Sequence, residues 1–162
     1  MANSLSAVTN HNFHLAKLLL KQLSIELTSN ENKQALLLDA YGQAVVWHLQ
    51  RALQSLIIEL ADRARASAEK MHDIVFEGTL TEIDGLPAEL REIAVLYRNG
   101  WLAQLMRAER LEHYEKPSKH HSQSIVVLHE VANNYFGLEE VQQWFNRFDE
   151  LLDRFRETTV EC

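Results

Sequence analysis

Glycine, proline and cysteine are scarce in this chain: 162 residues hold 5 Gly, 2 Pro and 1 Cys. Ordinary usage is roughly 7% Gly and 5% Pro, so turn-forming residues are well below half their usual share. A many-stranded sandwich needs a turn signal every 8–12 residues or so, and the composition excludes one. The single cysteine, Cys162, cannot form an internal disulfide and gives no reason to expect an oxidising compartment. Long uncharged apolar runs are missing too. The most apolar stretch, Leu49 to Ala61, is interrupted by Gln50, Arg51, Gln54 and Glu59, so no membrane span is expected. Met1-Ala2-Asn3-Ser4 carries no positive cluster, and Leu18-Leu19-Leu20 is bracketed by Lys17 and Lys21, which is not the layout of an export signal. The expectation is a cytoplasmic protein. An excess of basic residues is also lacking, with 16 Lys+Arg against 23 Asp+Glu and a net charge of −7. Generic nucleic-acid binding requires basic surface that releases counterions, so no nucleic-acid partner is expected.

What the chain has in quantity is Leu (25), Ala (16) and Glu (17), all strong helix formers. They fall in register. Phe13, Ala16, Leu20, Leu23 and Leu27 step alternately by three and four, the seam of a bundle helix running from about Asn3 or Ser4 to Leu27. Leu15, Leu18 and Leu19 widen that stripe toward a second neighbour. Ser29 or Asn30 can cap the next helix, with Glu31 in its first turn. This second helix is the longest, ending between Ala61 and His72, and Gly42, Val46, Leu49, Leu53, Leu56 and Leu60 form its seam. Gly42 on a seam suits a close approach as well as flexibility. Leu36, Leu37, Val45, Ile57 and Ile58 lie off the seam and suggest burial on two sides. Pro87 fits the first position of a further helix. Its seam of Leu90, Ala94, Tyr97, Trp101, Leu105 and Ala108 can run to Tyr114, with a kink or break at Asn99-Gly100 and Asn99 as a cap. Residues 115–137 read as a loop or extended segment containing the β-branched run Ser124 to His129. A last helix opens at Leu138 with the seam Val141, Phe145, Phe148, Leu152 and Phe155 and stops before Glu157. Residues 1–162 thus read as a single all-α domain. Its architecture is a four-helix-type bundle with a long second helix, short extra helices and a partly extended crossover before the last helix.

No constellation for chemistry emerges. A di-metal bundle requires two Glu-x-x-His pairs; this chain offers Glu69-Lys70-Met71-His72 once, and Glu109 with His113 at a spacing of four. His11 with His14, and the adjacent His120-His121, give two ligands each without grouped Asp or Cys partners. There is no Gly-x-Ser-x-Gly elbow and no phosphate-cradling glycine loop. Asp149 and Asp153, four apart, suit a solvated face better than an acid–base pair. Arg107 with His113, and Arg65 with His72, meet the loose Arg-to-His spacing of helical HEPN-class ribonucleases, but Ala108 and Ala66 stand where a polar residue is expected. Trp101 and Phe145 sit on seams, while Trp47 and Trp144 sit beside them and suit either a wide core face or an interface.

The order of parts resembles an uncharacterised all-helical bacterial family of unknown function. The likeness rests on the leucine-rich first helix, on Tyr41, Trp47 and Leu49 in the long second helix, and on the Pro-led segment Leu86-Pro87-Ala88-Glu89-Leu90-Arg91. Trp101-Leu102 after a polar break and Trp144 in the final helix complete it, with Asn99-Gly100 as a departure at the break. It implies a small cytoplasmic helical protein and transfers no catalytic, cofactor or metal residue. The expectation is a non-enzymatic interaction or scaffold protein that forms a homodimer or binds an unidentified protein partner, without a cofactor. The alternative is a ligand- or metal-binding bundle or a HEPN-like ribonuclease.

Overall fold

A computed structural model describes residues 2–29, 33–65, 86–108 and 136–160. Among them there are five helices and no strand. Helix α1 is Ala2–Ser29. Helix α2 is continuous through Gln34–Leu37, a π-helical turn Leu38–Gly42, and Gln43–Arg63. Helices α3 (Ala88–Asn99) and α4 (Trp101–Arg107) are short, and α5 is Leu138–Val160. The all-α expectation holds. The β-branched run 124–129, the cap at Asn30 with Glu31 after it, and the second helix beyond residue 65 lie outside the described residues, and Ser29, the other cap candidate, is the last residue of α1.

Helix α1 lies antiparallel along α2, and α5 packs across the side of the pair from which the core grows. Every seam residue assigned to α2, from Gly42 to Leu60, is buried. So are Val141, Phe145, Phe148, Leu152 and Phe155 of α5. The Phe13 ring of α1 stacks on Phe145 with centroids 4.7 Å apart and on Phe148 at 5.7 Å, and Trp101 of α4 meets Phe148 edge-on at 6.5 Å. Aromatic contacts of this kind add roughly 0.5–1.5 kcal/mol each beyond the area they bury. Trp144 also belongs to the core, with its ring 5.7 Å from Phe136.

Four helix ends differ from their sequence reading. Asn99 does not cap α4. Gly100 stands at that position with φ −121° and ψ −168°, and its N–H donates to Leu96 O at 2.9 Å, closing α3 before the chain turns. A Cβ on Gly100 would lie 2.8 Å from Leu96 O, which is why glycine is there. The helix of Trp101 stops at Arg107, because Ala108 is extended (ψ 118°), and so does not continue to Tyr114. Pro87 precedes the first residue of α3 rather than occupying it. Helix α5 runs past Glu157 to Val160. Its start is held by Glu140, whose carboxylate accepts the Gly137 N–H at 2.9 Å, the reaching-back half of a capping box.

The side assignments need one correction. Val45 and Ile57 are buried, but Leu36 and Ile58 of α2 and Leu18 of α1 are exposed, so the off-seam leucines do not all find neighbours. The role of Gly42 is now concrete. It is buried at the end of the π turn, and a Cβ there would come within 3.3 Å of the Phe136 ring and 3.6 Å of Leu38. The absent side chain makes room for an aromatic ring arriving just ahead of α5. Gly42→Leu should therefore expel Phe136 and lower stability by about 1–3 kcal/mol, the usual cost of overpacking. Urea unfolding followed by tryptophan fluorescence measures it, and an unchanged midpoint would refute the assigned contact.

Candidate functional site

Sequence reading supplied no site, so the polar groups drawn into the structure are the place to look. Among the described residues two polar side chains are buried, Thr9 (0% exposed) and Glu59 (3%). They meet across the α1–α2 contact: Thr9 Oγ1 donates to Glu59 Oε2 at 3.2 Å. Glu59 Oε1 accepts from Arg63, one turn further along α2. The carboxylate is thus satisfied from both sides, and the Arg63 side chain keeps a third of its surface in water. Such a partly wet pair escapes the full desolvation cost of a buried ion pair.

A second polar contact lies on the same helix pair. Asn12 Nδ2 donates to Val8 O at 3.1 Å, which turns its Oδ1 toward His48 Nδ1 at 3.2 Å. With the amide oriented this way, His48 must carry its hydrogen on Nδ1, leaving the Nε2 lone pair as its acceptor. The indole of Trp47 stands edge-on to the imidazole at 4.8 Å, and the Arg51 guanidinium covers the other part of that indole at 5.2 Å. Burial holds the His48 pKa below its ordinary value of 6.5, and the charge of His11 on α1 depresses it further.

These groups do not make a catalytic constellation. Glu59 is spent on Thr9 and Arg63, and His48 meets an amide. Among the described residues no three His, Cys, Asp or Glu side chains converge to hold a metal. His11 and His14 are exposed and line a shallow, open depression with Asn10, Phe13 and Lys17. Asn10 accepts from Arg156 of α5. Asp153 is exposed, as a solvated face requires. Arg107 is exposed on the last residue of α4, and Arg65 follows the end of α2 in a left-handed conformation with φ 56°. Both arginines of the ribonuclease-like spacing therefore sit where their helix stops, whereas that class carries Arg and His on one continuous helix. The companions His113 and His72, along with Glu69, Glu109 and His120-His121, lie outside the described residues.

A family model covers residues 1–162, and its description is a family of unknown function, DUF6586. The chain belongs to that family. No curated protein and no solved structure matches it. Among the described residues of this DUF6586 protein, no helix is long and apolar enough to cross a membrane.

Sequence reading missed Glu59 as a buried group and used it only as a charge within an apolar stretch. The missing signal is a partner fifty residues away. Two expectations follow. Thr9→Val, nearly isosteric, should cost about 1–2 kcal/mol in urea unfolding by leaving a buried carboxylate oxygen unpaired, and a neutral result would remove the bond. His48 has a folded pKa below its unfolded one, so its contribution to stability is whole above pH 6.5 and is lost as pH falls through the lower folded value. The melting temperature of the wild type should therefore drop more between pH 7.5 and 5 than that of His48→Gln. Parallel profiles would contradict the shift.

Proposed function

We propose that this protein is a non-enzymatic helical module that acts by association, first of all with a second copy of itself. The observation that carries this reading is the face of the α1–α2 layer turned away from α5. On α1, Val8, Leu15, Leu18 and Ile25 recur at steps of seven, three and seven, roughly opposite the core seam, and Val8, Leu18 and Ile25 are each about half exposed. On α2, Trp47 and Ile58 are exposed, eleven residues apart and so on one line of the helix. The two helices meet beside these lines, at the contact of Asn12 with His48, the residue after Trp47. Exposed apolar residues scattered singly need no explanation, but a line along each of two adjacent helices is the pattern of an interaction surface.

Charge favours an identical partner. The chain carries −7, which repels a second copy from most directions. Along these lines the charged residues are Glu26 of α1 and Arg51 and Asp62 of α2, a small net charge beside that of the whole chain, with His11 and His48 between the helices. A near-neutral apolar face on an acidic molecule is the place where two copies approach without penalty. The same net charge supports the absence of a nucleic-acid partner, and the lone Cys162 supports a cytoplasmic setting.

The strength of the association follows from its size. From Val8 to Ile25 the face runs about 26 Å, and two helices are about 20 Å across. That is about 500 Å² per partner, below the roughly 800 Å² of a standard stable interface. The dimer should be weak, in equilibrium with monomer at micromolar concentration. Sedimentation equilibrium from 5 to 500 µM should show the mass rising from 18.7 kDa toward twice that value. Trp47→Glu should hold it at 18.7 kDa without altering the circular dichroism spectrum. A wild-type chain that stays monomeric throughout would end the self-association reading.

A further inference from the structure

We propose that the depression on α1 is a binding site for a phosphoryl group, held by Asn10, His11, His14 and Lys17. Ala7, Asn10, His11, Phe13, His14 and Lys17 line it, and no carboxylate does. The amide of Asn10 is turned to suit an anion. Arg156 of α5 donates to Asn10 Oδ1, and a guanidinium has donors only, so the Nδ2 hydrogens are left for another acceptor. His14 and Lys17 follow Asn10 at steps of four and three, on one side of the helix. Both are exposed, and among the described residues neither has a hydrogen-bond or ion-pair partner. Phe13 completes the lining, and its ring is held by stacking on Phe145 and Phe148, so the donors stand on a well-packed part of α1.

Charge and shape set the class of ligand. Helix α1 contains no Asp or Glu before Glu26, although the chain as a whole carries −7. Asp153 and Glu157, the carboxylates flanking Arg156 on α5, are exposed and line no part of the depression. Lys17 and Arg156 thus give a local positive field on a molecule that repels anions elsewhere. A shallow, open depression does not enclose the apolar body of a metabolite. What it offers is a set of donors spread along two turns of one helix. A carboxylate has two oxygens to share among them, whereas a phosphoryl group has three, each a strong acceptor. The rest of the ligand stays in solvent, so a soluble phosphate compound and a lipid headgroup present the same chemistry to the site.

Titration of the full chain with pyrophosphate at constant ionic strength, followed through the imidazole NMR resonances, tests the site. His11→Gln and His14→Gln assign the two resonances. Both should shift together and saturate in the millimolar range, while His48, which is turned toward Asn12, should shift less. Lys17→Ala should weaken binding about fivefold, the worth of one exposed ion pair. Lys21→Ala removes the same charge one turn further along α1, outside the depression, and should leave binding within about twofold. Circular dichroism checks that both variants keep their helices. Shifts that never saturate, or equal losses in the two lysine variants, would reduce the effect to general attraction of ions and overturn the site. Flotation with vesicles containing phosphatidic acid separates the two sources. Wild type that floats, with Lys17→Ala left behind, assigns a lipid headgroup; saturable pyrophosphate binding without flotation assigns a soluble phosphate compound.

Discussion

The antiparallel packing of α1 along α2 is the contact on which the rest of the molecule is built, because every other described helix needs the surface that this pair creates. Ala16 and Leu23 from α1 and Val45, Leu49, Ala52 and Leu53 from α2 are wholly removed from water. At about 1.5–3 kcal/mol for each large apolar side chain buried, these residues supply the main attraction. The alanines Ala16 and Ala52 keep the inner face small, which lets the two backbones come close. On the platform so formed, Phe13 offers its ring to Phe145 and Phe148 of α5. Gln50 reaches across to the Leu105 carbonyl at the end of α4, at 2.9 Å. The surface pair Arg154–Glu92, at 2.6 Å, joins α5 to α3 but is exposed and contributes little.

Most of this architecture was legible in the sequence because it is periodic. A run such as Val141, Phe145, Phe148, Leu152 and Phe155 admits one helical reading, and its burial follows. Local chemistry was partly legible. Gly42 stood on a seam and so announced a close approach, but that the approaching group is the Phe136 ring depends on a residue ninety-four positions later. The break at Asn99-Gly100 was visible from composition, whereas its mechanism was not. Glycine is required there by the crowding of Leu96 O, and asparagine's capping ability goes unused.

The polar contacts were not legible. Glu59 is one of 17 glutamates, and nothing in its neighbours distinguishes it from those left in solvent. Its burial is decided by Thr9, which comes from the other helix. Asn12 and His48 are hidden from sequence reading in the same way, separated by thirty-six residues and joined by one hydrogen bond. Trp47 and Trp144 show the complementary failure. Both sit beside a seam, yet one is half exposed and the other is core, because α2 has a free side there and α5 does not.

These two failures share a physical cause. Helix α1 carries two apolar lines, one through Ala16 and Leu23 and another through Val8, Leu15, Leu18 and Ile25, and hydrophobic burial alone is nearly indifferent to which of them faces α2. The choice falls to groups with direction. If α1 were rotated to bury its second line, Thr9 would leave Glu59 and Asn12 would leave His48. A carboxylate oxygen would then stand buried without its hydroxyl donor, at a cost of about 1–3 kcal/mol, and Phe13 would lose both of its ring partners. The polar contacts between α1 and α2 thus act as a selector of face more than as a source of stability, the use for which buried polar pairs are best attested. By fixing which line goes inward they also fix which line remains outside. The exposed apolar line of α1 is in that sense the product of its buried polar residues, and a change at Thr9 or Glu59 reaches the outer face without touching it.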